Sequence, residues 1–227
     1  MKDLNISKKF TLINLIVTLL VLIMGYFVLN KYKNDLVDEV HNDVIANLKS
    51  LSEQRIKAKL EVGISNAISI ANDSSIKESL ANNDRELAIK TLANLSTSMK
   101  ESTPFQNIQI HLHTKDNRSF FRSWQPDKFG DDLSPFRPSV VKVNAEKKAV
   151  NGFEIGTTIG LGIRSVVPIF DSNKNHIGSL EFMQGLNSVA ISFDEEKRAF
   201  LLLMDLYKKK KNVKDEDKLD KYIISQK

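Results

Sequence analysis

The stretch from His111 to Trp124, HLHTKDNRSFFRSW, contains side chains that could bind a ligand or a metal ion. His111 and His113 are one residue apart, and on a β-strand they would lie on one face, about 6–7 Å apart along it. Two histidines can contribute to a zinc site, but a complete site needs a third or fourth ligand. The candidates for these ligands on neighbouring predicted strands are Glu154, Glu181 and His176. Because their spacing is not diagnostic, we favour the interpretation in which the histidines are polar members of a pocket or of a hydrogen-bonded sheet face.

Arginine and aromatic side chains follow the histidines. Alternation along the predicted strand 118–124 places Phe120, Arg122 and Trp124 on one face. A planar guanidinium group binds carboxylates, and an aromatic ring stacks on a ligand and excludes water. We therefore predict a small-molecule site, and its residues are Arg122, Trp124, Arg137, Arg164, His113 and Glu181.

Arg164 has an unusual position for a charged residue, inside the otherwise apolar strand GLGIRSVVPIF. Burying a guanidinium group without a partner is costly, so this strand predicts an anion beside it. The anion is either a bound ligand or a protein carboxylate, Glu181 or Glu154. If Glu181 pairs with Arg164, the pair is structural, and the ligand contacts fall to Arg122, Trp124 and Arg137.

Composition excludes several classes of function. The 227 residues include no cysteine, so disulfides, thiolate metal sites and a cysteine nucleophile are absent. The net charge of +5 is concentrated at the ends of the chain, since residues 208–227 contain eight lysines against four acidic residues. A basic face for nucleic acid is therefore not predicted. No Ser-His-Asp set is evident, and we predict neither an enzyme nor a cofactor.

The N-terminal region predicts a membrane anchor. Residues 10–29 contain no charged residue, and 20 residues match the length that crosses about 30 Å of hydrocarbon. Lys8 and Lys9 precede this span, which places the short N-terminus in the cytoplasm. We expect a single-pass membrane protein whose C-terminal domain is extracytoplasmic.

A long helix is predicted for residues 31–72, which contain no proline and one glycine, and it is either packed on its own domain or a stalk that continues the membrane helix. Its apolar residues recur mostly at steps of three or four, which is typical of an amphipathic helix. They are Leu36, Val40, Val44, Leu48, Leu51, Leu60, Ile64, Ala67 and Ala71. We expect the outer half to pack on its own domain and the inner half to form the contact of a homodimer.

The remaining pattern predicts an α+β fold. A short helix through Leu80, capped by Ser74 or Ser75, precedes a helix at 85–102 and a half-buried strand at 107–113. A turn and the strand 118–124 follow, then a loop and a helix near 139–148. Strands are predicted at 150–156, 162–170 and 176–183. We expect one five-stranded antiparallel sheet backed by the long helix.

Three spaced blocks resemble a known family: RSFFRSWQPDKFGDDLSPFRPSVVKVN, NGFEIGTTIGLGIRSVVPIF and HIGSLEFMQGL. They are similar to the membrane-distal module of double-Cache sensor domains, which have PAS-like folds. Such domains form the extracytoplasmic part of bacterial methyl-accepting chemotaxis proteins, sensor histidine kinases and diguanylate cyclases. The resemblance implies a small molecule bound between the sheet and the loop that covers it. Binding would then shift the helices that lead to the membrane.

Together these patterns predict a domain organisation. The segments are a cytoplasmic N-terminus (1–9), a transmembrane anchor (10–30), a stalk helix (31–72), a Cache-like module (73–195) and the start of a truncated second module or a charged tail (196–227). AFLLLMDL at 199–206 is the candidate first strand of that second module.

The leading hypothesis is a membrane-anchored sensor of a chemotaxis or signal-transduction receptor that binds a small anionic metabolite, such as an organic acid, as a homodimer. One alternative is a truncated receptor or a dimerisation partner without its own output. The other is a metal-binding module that uses His111 and His113.

Overall fold

The computed structural model describes residues 6–103, 109–156 and 160–198. The helices are α1 (Ile6–Ala71), α2 (Ser74–Ala81), α3 (Arg85–Ser102), α4 (Pro138–Glu146) and α5 (Asn187–Glu195). The strands are β1 (Gln109–Thr114), β2 (Ser119–Arg122), β3 (Val150–Gly156), β4 (Gly160–Phe170) and β5 (His176–Gln184). The predicted α+β class is confirmed. The predicted strand at 199–206 lies outside the described residues, as do residues 157–159 between β3 and β4.

The chain divides into two compact units, residues 1–54 and 55–227. In the described part of the first unit every residue is helical. This unit contains an apolar stretch that is long enough to cross a membrane by length and composition, and none of that stretch is buried. Exposed apolar side chains along a helix are what a lipid-facing segment requires.

The second unit is built around one sheet with strand order β2-β1-β5-β4-β3, in which every neighbouring pair is antiparallel. Local signals position its elements. Asp73 caps α2 by accepting hydrogen bonds from the backbone N–H groups of Ser75 and Ile76, so the predicted cap at Ser74 or Ser75 was wrong by one or two positions. Asn117 takes a positive φ of 63° in the turn between β1 and β2, which asparagine tolerates better than most residues.

One face of the sheet is apolar and packs on helices. Its strand residues form a single cluster with the end of α1 and with α2 and α3. That apolar face is made of Ile110, Leu112, Phe121, Val167, Ile169, Leu180 and Phe182. Gly63 of α1 lies against it so closely that an added Cβ would be 2.5 Å from Ser165 Oγ and 2.3 Å from Gln184 Nε2.

The opposite face of the sheet is also buried, but its side chains are mainly polar. The register aligns Glu181 of β5 with His111 of β1 and with Val166 of β4, and aligns Arg164 with Met183. Helix α4 packs over β3, β4 and β5 and contributes the buried Val140 and Val143. We call this side the polar face.

Two expectations about β1 and β2 were wrong. The four residues from Ile110 to His113 are all buried, so β1 is covered on both faces and is not half-buried. The register shifts between Leu112 and His113, which pair with Phe121 and Ser119 and leave Phe120 as a bulge. Because of the bulge, Phe120 joins the apolar cluster and does not share a face with Arg122.

Candidate ligand-binding site

Glu181 is the centre of the polar face. Its side chain is fully buried, and one carboxylate oxygen, Oε1, accepts hydrogen bonds from Arg137 Nη2 and from Arg164 Nη1, the latter at 2.9 Å. A buried carboxylate is tolerated only when it is paired, and here two guanidinium groups pair with it. Of the two sources of an anion that the sequence left open for Arg164, the structure shows the protein carboxylate.

Arg137 is positioned by the start of α4. It is the N-cap residue but makes no capping hydrogen bond with its own side chain, which extends to the sheet instead. Its Nε donates to Glu154 Oε1 at 2.7 Å, while Glu154 Oε2 accepts from the backbone N–H of Ser139 at 3.1 Å. Glu154 of β3 therefore satisfies an N–H group at the helix terminus and fixes Arg137 at the same time.

The two histidines face the other oxygen of Glu181. His111 Nδ1 lies 3.5 Å from Glu181 Oε2, and His113 Nε2 lies 3.7 Å from the same atom. Neither separation is a hydrogen bond, and all three atoms are buried with no hydrogen-bond partner among the residues that the structure describes. The second ring nitrogens are held by serines, with His111 Nε2 at 2.8 Å from Ser119 Oγ and His113 Nδ1 at 3.0 Å from Ser179 Oγ.

Arg122 lies at the edge of this face and is paired differently. It makes a bidentate pair with Asp131, two hydrogen bonds of 2.7 Å, and donates to the carbonyl oxygen of Lys128 at 2.7 Å. The Arg122 side chain is 7% exposed, whereas that of Asp131, on the loop between β2 and α4, is 35% exposed. The buried guanidinium group thus depends on a carboxylate that water already reaches.

Trp124 follows β2 and packs edge-on against His111, with ring centroids 5.5 Å apart. On its other side it lines a cavity of about 420 Å³ beside α3, together with Phe121 and Ser123. A larger cavity of about 490 Å³, between α1, α2 and α3, is lined by residues such as Asn66 and Ser98 and contains none of the predicted site residues. Of these two openings, the one at Trp124 includes a predicted site residue, and its other walls include Phe121 and Leu92 of the apolar cluster.

The charge states follow from burial and pairing. Burial lowers the pKa of His111 well below its usual value and also lowers the pKa of His113, because desolvation disfavours the imidazolium form. Burial alone would raise the pKa of Glu181, but the guanidinium groups of Arg137 and Arg164 hold that pKa well below its usual value. At neutral pH the site therefore contains an ionised carboxylate and two neutral imidazoles.

The structure brings most of the predicted site residues together. His113, Arg137, Arg164 and Glu181 are within one contact network, and Arg122 and Trp124 border it. Among the three proposed partners of the histidines, Glu181 reaches them. Glu154 is held by Arg137 and Ser139, and His176 packs on Phe170 at the far end of β5.

Sequence reasoning missed Ser119, Ser179 and Asp131. The serines share a face with the histidines because of the register of β1 with β2 and β5. The sequence does not reveal that register. Asp131 belongs to the Asp131-Asp132 pair of a loop, and its neighbour Asp132 accepts from the backbone N–H of Ser134 instead. Arg122 and Asp131 are nine residues apart, and Asp131 lies on a loop, so no helical spacing of three or four residues indicated that they pair.

Comparison with known proteins decides the family. The family model described as the double sensory domain of two-component sensor kinases, dCache_3, matches residues 42–205, which is more than half of the chain. The chain belongs to the dCache_3 family. The predicted Cache-type sensor domain is confirmed.

The fold of this dCache_3 chain is similar to that of a solved sensor domain. The sensor domain of the V. cholerae histidine kinase DctB matches with a TM-score of 0.50 and 15% identity, over 61% of this chain and 54% of that one. The sensor domain of E. coli DcuS matches with a TM-score of 0.44 and 14% identity, over 59% of this chain and 92% of that one. A search of curated proteins finds no match. The dCache_3 chain thus spans about half the length of the DctB sensor structure.

Proposed function

We propose that this dCache_3 chain is the sensory input module of a membrane signal-transduction receptor and that its ligand is a small organic anion bound at Arg122. The family supports a sensory role for residues 42–205. The observation that carries the ligand class is a buried arginine whose carboxylate partner, Asp131, lies on a loop and is partly exposed. A ligand carboxylate replaces Asp131 without a change in the net charge beside Arg122, so the exchange does not leave a buried cation unpaired.

The other two arginines have a different role in this proposal. Arg137 and Arg164 both hold the fully buried Glu181, and Arg137 holds Glu154 in addition. Displacing Glu181 would leave an ionised carboxylate without a partner in the interior, which costs far more than displacing Asp131. The anion therefore contacts Arg122 and the ring of Trp124, while Arg137 and Arg164 keep the polar face in position.

The location of Trp124 supports access to this site. Its ring packs on His111 and also lines the cavity beside α3, and the loop residues 125–137 follow it directly. In this proposal a ligand in that cavity contacts the Trp124 ring, and Arg122, two residues earlier in the chain, binds its carboxylate. The replacement of Asp131 then moves the loop, which leads into α4 and its contacts with β3, β4 and β5.

The test is a thermal-shift screen of the full chain in detergent against mono-, di- and tricarboxylic acids and amino acids. We expect at least one acid to raise the melting temperature of the wild-type protein. Arg122→Gln should weaken its binding by at least about tenfold, since charge-assisted bidentate pairs contribute about 1.5–3 kcal/mol. Arg118→Gln is the matched control, because Arg118 is on the same hairpin but its side chain is 55% exposed.

Two results would contradict the anion proposal. One is the absence of any shift across the whole panel in protein that is folded by circular dichroism. The other is an equal loss of affinity in Arg122→Gln and Arg118→Gln, which would indicate a general effect of surface charge.

The proposed localisation is a single span in the inner membrane, with the N-terminus in the cytoplasm and the sheet outside it. The apolar stretch of α1 and the two lysines before it support this arrangement. The chain has no cysteine, so single cysteines report topology cleanly. In intact cells Lys115→Cys should react with a membrane-impermeant thiol reagent, whereas Ser7→Cys should react only after lysis. The reverse pattern would invert the orientation.

We also propose that α1 pairs with a second copy of the chain through Leu36, Val40 and Val44. These apolar side chains repeat every four residues on one side of the helix and are exposed. Val40→Cys should form a disulfide-linked dimer under mild oxidation. Asn42→Cys, about 200° around the helix, is the matched control and should remain monomeric. Equal crosslinking at both positions would indicate random collision instead of a defined contact.

A further inference from the structure

Three buried polar atoms on the polar face point at a common space. They are His111 Nδ1, His113 Nε2 and Glu181 Oε2, and each is buried without a hydrogen-bond partner. Buried polar atoms in native proteins are almost always paired, with protein or with an ordered group. Three unpaired atoms that converge on one point therefore indicate a group that all three bind.

Their spacing fits a metal ion. The two measured separations, from His111 Nδ1 and from His113 Nε2 to Glu181 Oε2, are 3.5 and 3.7 Å. In tetrahedral coordination with metal–ligand distances of about 2.0–2.1 Å, neighbouring ligand atoms are about 3.3–3.4 Å apart. All three atoms lie within 4.8 Å of one another. Small side-chain movements would bring them to coordination distance.

The groups around these atoms have the properties of outer ligands. Ser119 and Ser179 hold the far nitrogens of the two rings and fix their orientation, as the hydrogen-bond partners of metal-binding histidines do. The far oxygen of Glu181 is held by Arg137 and Arg164, which leaves Oε2 free. Neutral imidazoles and an ionised carboxylate are also the protonation states that a metal requires.

We propose that His111, His113 and Glu181 form a binding site for a divalent cation of the zinc class, with a fourth position open. Two histidines and one carboxylate are the protein ligands of several zinc sites that keep one position for water or substrate. The fourth ligand is an anion, because Arg137 and Arg164 already balance Glu154 and Glu181, and the metal adds two positive charges. The site goes beyond the anion proposal at Arg122 and does not depend on it.

The alternative occupant of this space is a water molecule. A water could donate to Glu181 Oε2 and to the unprotonated nitrogen of one ring and accept from the N–H of the other, and it would satisfy the same three atoms without any metal. The two occupants differ in what they require from the histidines. A water tolerates loss of one ring, whereas a three-ligand metal site does not.

The test is zinc binding by the full chain, purified in detergent without a polyhistidine tag and stripped with a chelator. Titration with Zn²⁺ against a chromophoric competitor should show one equivalent per chain. His111→Asn and His113→Asn should each weaken binding by at least about 100-fold, since even outer-shell partners contribute 10–100-fold. His176→Asn is the matched control, because His176 is on the same strand as Glu181 but outside the cluster, and it should bind as the wild type does.

If the histidine variants fail to fold, two further measurements still test the metal site. Co²⁺ added to the wild-type protein should give the intense visible absorption of tetrahedral coordination. Ser179→Ala, a small change, should weaken Zn²⁺ binding by about tenfold through the orientation of His113. Substoichiometric zinc in the wild-type protein, a weak octahedral Co²⁺ spectrum, or unchanged binding in both His111→Asn and His113→Asn would overturn the metal site and leave water as the occupant.

Discussion

The two faces of the sheet are equally well buried, and they are stabilised in different ways. The apolar face joins residues such as Leu112, Leu180 and Phe182 to three helices. The polar face is made of the alternate residues of the same strands, and there Glu181 lies between Arg137 and Arg164. Hydrophobic burial depends on area removed from water, whereas a buried ion network depends on every partner being present. The apolar face therefore tolerates substitutions that the polar face does not.

This difference supports the proposal that the apolar face is structural and that the polar face is where the domain senses its ligand. On the apolar face, a lost side chain removes contacts and leaves a cavity. On the polar face, a lost side chain leaves a charge uncompensated, so the stability of that face responds to protons, ions and ligands. A sensory domain needs a region whose stability changes with what it binds, and in our proposal the polar face is that region.

The largest effect is expected at the centre of the polar face. Glu181→Ala leaves Arg164 and one contact of Arg137 without their carboxylate, and removing one partner of a buried pair costs about 3–5 kcal/mol. The free energy of unfolding, from urea titration of the full chain in detergent, should fall by about 4 kcal/mol.

A double variant separates charge from packing at this position. In Glu181→Leu with Arg164→Met, both charges leave together and Arg137 keeps Glu154 as a partner. Replacing a buried ion pair by apolar residues is often neutral, so most of the stability should return. If the double variant were as unstable as Glu181→Ala, the polar face would be stabilised by shape and not by charge pairing.

A smaller loss is expected from the apolar face. Leu112 is fully buried in the cluster, and Leu112→Ala should lower the free energy of unfolding by about 3 kcal/mol through lost transfer energy and a cavity. Urea titration measures this change as well. The loss should be the same at pH 7.5 and 5.5, because the cluster contains no titratable side chain. A loss that varied with pH would contradict the division between the faces.

Acid should destabilise the polar face specifically. The pKa values of His111 and His113 are lowered in the folded protein from 6.5, so the unfolded chain binds more protons below that pH. Their contribution is complete above pH 6.5 and is lost progressively as the pH falls from 6.5 towards the lower folded pKa values. Each histidine lowers the free energy of unfolding by up to about 1.4 kcal/mol per pH unit below 6.5, so about 2 kcal/mol should be lost between pH 7.5 and 5.5.

The measurement is the midpoint of urea unfolding across this pH range in chelator-treated protein. His111→Asn should remove about half of the pH dependence, because it removes one of two titrating rings. Glu181, whose pKa is lowered from 4.5, contributes at lower pH and should not affect this window. If the urea midpoint of His111→Asn depended on pH as strongly as that of the wild type, other titrating groups would be responsible for the pH dependence.

The sequence predicted the two faces but not their partners. Alternation in β1 and β5 places Leu112 and Leu180 on one side and His111 and Glu181 on the other, and period-two spacing is a local property. Caps and turns could be predicted almost as well, because the cap at Asp73 and the turn at Asn117 depend only on residues close to them in the sequence. These parts of the fold need no information about distant segments.

The contacts of the site could not be read in this way. Two carboxylates, Glu181 and Glu154, were equal candidates for Arg164 because the choice depends on the register of three strands. The bulge at Phe120 reversed the orientation of one aromatic ring, and no residue pattern in β2 indicated it. Asp131 reaches Arg122 through the course of a loop, which follows from tertiary packing and not from local preference.

The smallest effect is expected at the rim of the polar face, where it tests the proposed ligand exchange. Asp131→Asn removes a charge that is already one-third exposed, and Arg122 keeps the carbonyl oxygen of Lys128. The asparagine side-chain oxygen still accepts one of the two hydrogen bonds from Arg122, so the free energy of unfolding should fall by about 1 kcal/mol, the contribution of one hydrogen bond. The same variant should bind the carboxylic acid identified by thermal shift more tightly than the wild type, because the internal competitor for Arg122 is gone. Isothermal titration of both proteins measures this directly. Weaker binding in Asp131→Asn would mean that Asp131 helps to hold the ligand, and Arg122 would then be a structural residue of the loop.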